Sequence, residues 1–393
     1  MVTSGLDLNA TALAGTQALQ RGDAAKARAL FEQIVAAGRG DEFVWVALAT
    51  ACRGLGDHEA QMEAAEKALA ASPRNVRALI LKGDALVGAD DTRTAVAFFR
   101  AALREIPPGS QLPPDLLAEV RHAQAECDRF ASVYADYLYE QMAAAGFDEQ
   151  TSSRRFFQSI DLMTGRKQLY LQQPVFYYFP GLPQIQFYER GDFPWLAKLE
   201  AATADIRGEL LDILKDEGAF EPYVQQQENM PAGNYRGLLR NPSWSACYLW
   251  RNGRIVEETA ARCPKTMAAL KDVPLPHVKG RTPSVLFSLL RSGARIPPHH
   301  GFINTRLICH LPLIVPGQCW LRVGNETRQW EEGKALIFDD TIEHEAKNDA
   351  DKLRVVLLFD IWRPELSEEE RRLVTTMFEA IDAYGGIQRE WTA

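Results

Sequence analysis

A segment near the C-terminal end of the chain, residues 304–315, alternates with a period of two residues, which is the period of a β-strand. Arg306, Ile308 and His310 fall on one face. The other face is apolar and consists of Leu307, Cys309, Leu311 and Leu313. This pattern predicts a strand with two chemically different faces.

The same alternation recurs in residues 353–362, where Arg354 and Val356 share a face. Shorter strand-like runs, 319–323 and 334–338, lie between the two segments. The turn signals that separate the runs are Gly324-Asn325 and Glu332-Gly333. Many short strands with tight turns predict an antiparallel barrel or jelly roll rather than a parallel sheet.

The N-terminal third has a different pattern, a 34-residue period over residues 8–108. The positions that repeat with this period are Asp23, Asp57 and Asp91, then Gly15, Ala49 and Gly83, then Phe31, Ala65 and Phe99. A period of this length with small residues at fixed positions is typical of tetratricopeptide repeats, in which each unit is a helix–turn–helix. We therefore predict three such units, the first of them degenerate because Thr11 replaces the large residue that starts the others.

Further helices are predicted after the repeats. Residues 115–146 are expected to form one long helix or two, residues 195–216 an amphipathic helix on one face of the barrel, and residues 366–384 a closing helix. The fold class is therefore α+β. We predict a helical repeat domain over residues 1–130 and a β-domain over residues 131–393, with its core at about 240–366.

Composition narrows the class of protein. A net charge of −8 and a pI of about 5.5 argue against a nucleic-acid-binding surface. The six cysteines are scattered without paired spacing, which favours reduced thiols in a cytoplasmic protein. The N-terminus lacks a basic and apolar leader, and no run of about 18 apolar residues occurs, so neither secretion nor a membrane anchor is expected.

Histidine is concentrated in the strand-rich region. Of seven histidines, five lie between residues 277 and 344. His299 and His344 sit at the ends of predicted strands, where they could meet across the mouth of the barrel and bind one metal ion, since imidazole suits iron, zinc and copper. Arg354 is a cation on a nearby strand, suited to a bidentate carboxylate. His277 follows a proline in a loop and is expected to be structural.

From Trp244 to Leu366 the chain resembles the oxygenase domain of the aspartyl/asparaginyl β-hydroxylase family. The ordered segments that carry the resemblance are Trp244-Ser245, Asn252-Gly253-Arg254, Pro264-Lys265-Thr266, Phe287-Ser288, Pro298-His299-His300-Gly301, Asn325-Glu326-Thr327-Arg328, Phe338-Asp339-Asp340 and Trp362-Arg363-Pro364. The resemblance implies a double-stranded β-helix, an Fe(II)- and 2-oxoglutarate-dependent dioxygenase that consumes O2, and an enzyme that hydroxylates a side chain.

The resemblance also implies roles for individual residues. His299 and His344 would be the iron ligands. Arg354 would hold the far carboxylate of 2-oxoglutarate, and His310 would contact this cosubstrate near the metal. The other residues expected to line the cosubstrate site are Ser288, Leu290 and Val356.

Two positions bear on the metal ligands and on the substrate. A third, carboxylate ligand is usual two residues after the first histidine, but Gly301 stands there. The resembled hydroxylases also lack that carboxylate, so Gly301 agrees with the resemblance. His300, Asp339 and Asp340 stay open as third ligands. Two residues before His310 the family usually carries an arginine, and here Ile308 replaces it. Arg306 is our candidate for contact with a substrate carboxylate.

The sequence therefore predicts hydroxylation of an Asp- or Asn-type side chain in a protein or peptide, with the substrate held by the groove of the helical repeats. One alternative is hydroxylation of a small or carrier-bound metabolite or of a ribosomally made peptide, which the isoleucine at position 308 favours. A second alternative is a non-catalytic tetratricopeptide adaptor. The histidine pair and Arg354 argue against the adaptor.

Overall fold

The computed structural model describes residues 7–107, 109–148, 151–216, 218–226 and 237–385. The chain divides into two compact units, Met1–Gln168 and Leu169–Ala393. In the described part of the chain, the first unit is helical and the second contains all the strands. This confirms the predicted α+β class, with helical repeats followed by antiparallel sheets.

The first unit begins with three helix pairs, as the 34-residue period predicted. The helices are α1 (Leu8–Gln20), α2 (Ala24–Ala36), α3 (Glu42–Leu55), α4 (His58–Ala71), α5 (Val76–Gly88) and α6 (Thr92–Arg104). The repeated aspartates cap the second helix of each pair. The carboxylates of Asp23, Asp57 and Asp91 each accept a hydrogen bond of 3.1 Å from the backbone N–H three residues later.

The small residues of the repeat have a packing reason. A Cβ atom at Gly15 would lie 2.8 Å from the ring of Phe31, and one at Gly83 would lie 2.5 Å from the ring of Phe99. The middle unit has alanine at both equivalent positions. Glycine on one helix is therefore required where phenylalanine occupies the other, since both rings are fully buried.

Two more helices, α7 (Pro114–Ala144) and α8 (Arg154–Thr164), complete the first unit. The segment 115–146 is thus one helix rather than two. The boundary that we placed at residues 130/131 falls inside α7, and the compact unit extends to Gln168. A continuous helix carries no signal in its sequence for a boundary of this kind.

The second unit is built on two antiparallel sheets. The larger has eight strands, in the order β1-β10-β7-β12-β5-β3-β2 with β4 beside β3, and the smaller has four, in the order β6-β11-β8-β9. The strands are β1 (Phe187–Tyr188), β2 (Glu221–Pro222), β3 (Trp244–Arg251), β4 (Arg254–Ile255), β5 (Val285–Leu290), β6 (Arg295–His299), β7 (Arg306–Ile314), β8 (Cys319–Val323), β9 (Glu326–Gln329), β10 (Leu336–Phe338), β11 (His344–Asn348) and β12 (Arg354–Trp362). The four strand-like runs of the sequence correspond to β7, β8, β10 and β12, so these predictions are confirmed.

The larger sheet has two different faces. On β7, the apolar face predicted from the sequence packs into a core under helices α9 (Leu196–Ala201) and α10 (Thr203–Ile213). The opposite face, with Arg306, Ile308 and His310, points towards the smaller sheet and lines a cavity. The prediction of a single helix over 195–216 was wrong in one respect, because the helix is interrupted at Ala202, between α9 and α10.

Three helices remain: α11 (Glu257–Arg262), α12 (Pro264–Ala269) and α13 (Glu368–Gly385). The closing helix α13 begins with a capping box, in which Ser367 Oγ accepts from the backbone N–H of Glu370 and the Glu370 carboxylate accepts from the backbone N–H of Ser367. Among the described residues, no helix combines the length and the hydropathy that crossing a membrane requires.

Candidate active site

His299 and His344 lie side by side. They are the last residue of β6 and the first residue of β11, and the antiparallel register pairs them directly. Their ring centroids are 4.0 Å apart. The sequence separates these residues by most of the smaller sheet, and the pairing of the two strands brings them together.

Both rings are oriented by their own backbone. His299 Nδ1 lies 2.8 Å from the carbonyl oxygen of Pro297, and His344 Nδ1 lies 3.2 Å from that of Ile342. A carbonyl oxygen only accepts, so Nδ1 carries the proton and, in the neutral ring, Nε2 carries the lone pair. Burial, with the neighbouring His299, holds the pKa of His344 well below its usual value. The pair is thus prepared to present ring nitrogens to a metal ion.

Arg354 is the most unusual charge in the cavity. Its side chain is 1% exposed, its Nη1 donates to the carbonyl of Ser288 at 3.1 Å, and its guanidinium lies 4.6 Å from the ring centre of Trp330. Its Nε has no hydrogen-bond partner, and no ion pair to Arg354 occurs in the described part of the chain. Burial lowers the pKa of Arg354 to about 10. A buried cation without a counter-ion is stabilised by an anionic ligand.

Strand β5, beside Arg354, contributes the predicted cosubstrate residues Ser288 and Leu290, and Val356 lies on β12 with Arg354. Ser288 on β5 lines the cavity, and its Oγ accepts a hydrogen bond of 3.2 Å from Trp244 Nε1. Leu290 and Val356 are fully buried in the apolar core between the sheets and do not appear among the residues that line the cavity. Both belong to the apolar cluster that also contains the cavity residues Trp244 and Phe338.

His310 lies between Arg354 and the histidine pair. Its ring centroid is 5.0 Å from that of Phe338 and 5.9 Å from that of Trp330, and its Nδ1 has no hydrogen-bond partner. Burial and, to a smaller extent, the charge of Arg354 keep the pKa of His310 well below its usual value. The ring is therefore neutral and can hydrogen-bond to a ligand through either nitrogen, according to its tautomer.

Gly301 is glycine for a steric reason. A Cβ atom at this position would lie 2.1 Å from Oδ2 of Asp340, and the backbone N–H of Gly301 donates to the carbonyl of Asp340 at 2.7 Å. The carboxyl group of Asp340 fills the space that a side chain at 301 would need. Burial raises the pKa of Asp340 to about 7. Asp339 points elsewhere and forms a fully buried ion pair of 2.9 Å with Arg363.

Arg306 is already engaged by two carboxylates. Its guanidinium lies 3.3 Å from Asp340 and 3.4 Å from Asp360, and all three side chains are buried. The pKa of Arg306 stays above its usual value, because the two aspartates outweigh the burial that opposes the charge. Ile308, one step further along β7, faces the same cavity.

The residues present fit an iron ion and a dicarboxylate. Two histidines with lone pairs on Nε2 can supply nitrogen ligands. Arg354, which lines the same cavity, supplies a cation that no carboxylate of the described residues compensates. Within the described ranges, no group of three His, Cys, Asp or Glu side chains could hold a metal. The adjacent pair His299 and His344 is the set of nitrogen donors that the cavity offers to a metal.

Sequence reasoning missed three residues of the site. Trp330 lies over the guanidinium of Arg354, Trp244 donates to Ser288, and Asp360 pairs with Arg306. Asp360 could have been found, because steps of two along β12 from Arg354 lead to it on the same face. The tryptophans gave no such signal, since their positions depend on how separate strands pack.

Comparison with known proteins agrees with this geometry. Residues 200–364 match the family described as "Aspartyl/Asparaginyl beta-hydroxylase", and residues 44–75 match "Tetratricopeptide repeat". The human protein "Aspartyl/asparaginyl beta-hydroxylase" is 37% identical over 187 residues, which cover 47% of this chain and 23% of that one. The "Ornithine lipid ester-linked acyl 2-hydroxylase" of Rhizobium tropici is 34% identical over 223 residues, which cover 56% of this chain and 73% of that one.

The chain belongs to the aspartyl/asparaginyl β-hydroxylase family. The mouse β-hydroxylase is 34% identical over 184 residues, and the match spans 24% of its length. The chain thus spans about a quarter of the mammalian β-hydroxylases. These relatives are named as hydroxylases, which supports an enzyme and leaves the substrate to be determined.

Proposed function

We propose that the protein is an Fe(II)- and 2-oxoglutarate-dependent hydroxylase. The observation that carries the proposal is Arg354, a fully buried guanidinium that has no carboxylate partner among the described residues. It lines the same cavity as two adjacent histidines. Hydroxylase relatives in the family support the reaction class. A structural arginine would be expected to have a buried acid beside it, as Arg363 has in Asp339.

In this proposal each residue has one task. His299 and His344 would hold the iron through Nε2, because their Nδ1 protons are used by backbone carbonyls. Arg354 would bind the far carboxylate of 2-oxoglutarate, and Ser288, whose backbone carbonyl accepts from Arg354, lines the same cavity. When bound, iron and 2-oxoglutarate with O2 supply the oxidising power that converts a C–H bond to C–OH, with release of succinate and CO2.

The surrounding side chains exclude water from this chemistry. Trp330 covers one face of the Arg354 guanidinium, and Phe338 packs against His310 and His344. These rings keep the guanidinium in a low-dielectric environment, where its attraction for a carboxylate is stronger than in water. The neutral His310 can then donate to or accept from the cosubstrate without adding charge.

For the substrate, the family supports an Asp- or Asn-type side chain of a protein or peptide, presented by the helical repeats. The second candidate is a small or carrier-bound molecule, favoured by Ile308 in the cavity and by the name of the Rhizobium relative, an acyl hydroxylase. A non-catalytic adaptor is the third possibility, and it requires that the site bind neither iron nor 2-oxoglutarate.

The test is anaerobic binding of Fe(II) and 2-oxoglutarate, followed by the metal-to-ligand charge-transfer absorbance. Wild-type protein should develop a visible band, His344→Ala should lose it, and Arg354→Ala should need a much higher concentration of 2-oxoglutarate. His277→Ala is the matched control, because His277 is exposed and does not line the cavity. No band in the wild type, or an undiminished band in His344→Ala, would contradict the proposal.

A further inference from the structure

The charges in the cavity are unevenly compensated. Among the described residues that line it, two arginines and two aspartates carry the formal charges. Arg354 has neither aspartate as a partner, whereas Arg306 lies between Asp340 and Asp360 at 3.3 and 3.4 Å. In the proposed function Arg354 is occupied by the cosubstrate. The group left to meet the substrate is therefore one guanidinium with two carboxylates.

This cluster has no positive charge to offer. Burial raises the pKa of Asp340 to about 7, so Asp340 can be neutral or charged near physiological pH. In either state Asp360 still neutralises Arg306. Ile308, the cavity residue where the resembled family usually has an arginine, adds no cation. A substrate carboxylate placed here would be a second or third buried anion beside a single guanidinium, an arrangement that like-charge repulsion disfavours strongly.

Two polar atoms of the cluster remain unsatisfied. Nε of Arg306 is a buried donor without a partner, and Oδ1 of Asp340 is a buried acceptor without a partner. A buried polar group that lacks a hydrogen bond destabilises the protein until a ligand or water supplies one. One donor and one acceptor on neighbouring side chains match a group that carries one C=O and one N–H.

We propose that the group recognised beside the reacting carbon is an uncharged amide, as in an asparagine side chain, and not a carboxylate. The inference rests on the proposed function and narrows it to the neutral member of the Asp/Asn pair. The amide oxygen accepts from Arg306 Nε–H, and the amide N–H donates to Asp340 Oδ1. Arg306 then donates a hydrogen bond to an uncharged ligand, while Asp340 and Asp360 compensate its positive charge.

The test compares two probes that differ only in this group, N-acetyl-asparagine amide and N-acetyl-aspartate amide. Each is titrated into the anaerobic protein with Fe(II) and 2-oxoglutarate, and the shift of the charge-transfer band is followed. Isothermal titration of the iron-free protein with the same probes runs in parallel. A missing band would then refute the cofactor proposal, while the amide preference is still measured by calorimetry.

The wild type should bind the asparagine probe, and bind the aspartate probe roughly a hundredfold more weakly. Asp360→Asn, which retains an oxygen to accept from the backbone N–H of Ser284, should narrow this ratio by removing one anion. Ile308→Arg should narrow or reverse it by adding a cation, and Ile308→Leu is the control that changes shape without charge. Equal or tighter binding of the aspartate probe by the wild type would overturn the inference. So would failure of the asparagine probe to bind, or an unchanged ratio in both Asp360→Asn and Ile308→Arg.

Discussion

Replacing Arg354 should have opposite effects on stability and on ligand binding. Burial lowers the pKa of this guanidinium from its ordinary value above 12 to about 10. Each tenfold change in a protonation equilibrium is worth about 1.4 kcal/mol, so holding the charge in the folded protein costs on the order of 3 kcal/mol. Because the folded-state pKa of a base is depressed, this penalty is present in full at neutral pH and is relieved only as pH rises through about 10.

Arg354→Met removes the buried charge and keeps an unbranched side chain of comparable length. The iron-free variant should therefore be more stable than the wild type, by about 1–3 kcal/mol once the lost packing and the lost bond to Ser288 are allowed for. The same variant should no longer be stabilised by 2-oxoglutarate. The wild type should gain about 2.7 kcal/mol at a ligand concentration one hundred times the dissociation constant.

Chemical denaturation with and without 2-oxoglutarate measures both effects. Arg363→Met is the matched control, since Arg363 is equally buried but is paired with Asp339 at 2.9 Å. Breaking that pair leaves an uncompensated carboxylate and should destabilise the protein by about 3–5 kcal/mol. If Arg354→Met were destabilised like the control, Arg354 would be a structural residue. The argument that it awaits an anion would then be refuted.

Two further predictions concern packing and thiol chemistry. Gly83→Ala should destabilise the helical repeats by about 1–3 kcal/mol, because the added Cβ would lie 2.5 Å from the ring of Phe99. Gly208→Ala, in a helix with open space around the glycine, should instead stabilise the protein slightly. Thermal unfolding of the two variants distinguishes the two signs. Burial raises the pKa of Cys247 to about 11 and that of Cys263 to about 12. Neither thiol should therefore react with a disulfide reagent at pH 8 in the folded protein, whereas both should react in denaturant. Rapid modification of these two thiols in the native protein would contradict their burial.

The alternation of residues in a strand was enough to predict which side chains share a face. On β7 it separated Arg306 and His310 from the apolar residues, and on β12 it put Arg354 and Val356 on one face. In the structure, Arg306, His310 and Arg354 line the cavity. This works because a strand has a fixed period and one of its faces is buried. The same rule applied twice more along β12 would have revealed Asp360.

Alternation could not predict contacts that depend on register or on packing between sheets. Arg354 lies directly opposite Leu290 in the larger sheet, yet Leu290 is in the apolar core and does not line the cavity. The pairing of Arg306 with Asp360 requires the register that β7 and β12 adopt, which no local pattern specifies. The prediction that Arg306 contacts a substrate carboxylate therefore could not take its pairing with Asp360 into account.

Gly301, two residues after His299, and Asp340, four residues before His344, compete for the same space. In the usual arrangement of two histidines and a carboxylate, the acid follows the first histidine on the same segment. Here the carboxyl of Asp340 enters the same space from the neighbouring segment, 2.1 Å from where a Cβ at 301 would stand. An acidic residue at 301 is therefore excluded as long as Asp340 is present. Because Asp340 is bound to Arg306, and Arg306 to Asp360, the surroundings of the histidine pair and the charge that a substrate meets belong to one connected cluster. A substitution of Asp340, Arg306 or Asp360 should therefore change both the surroundings of the histidine pair and the charge that a substrate meets.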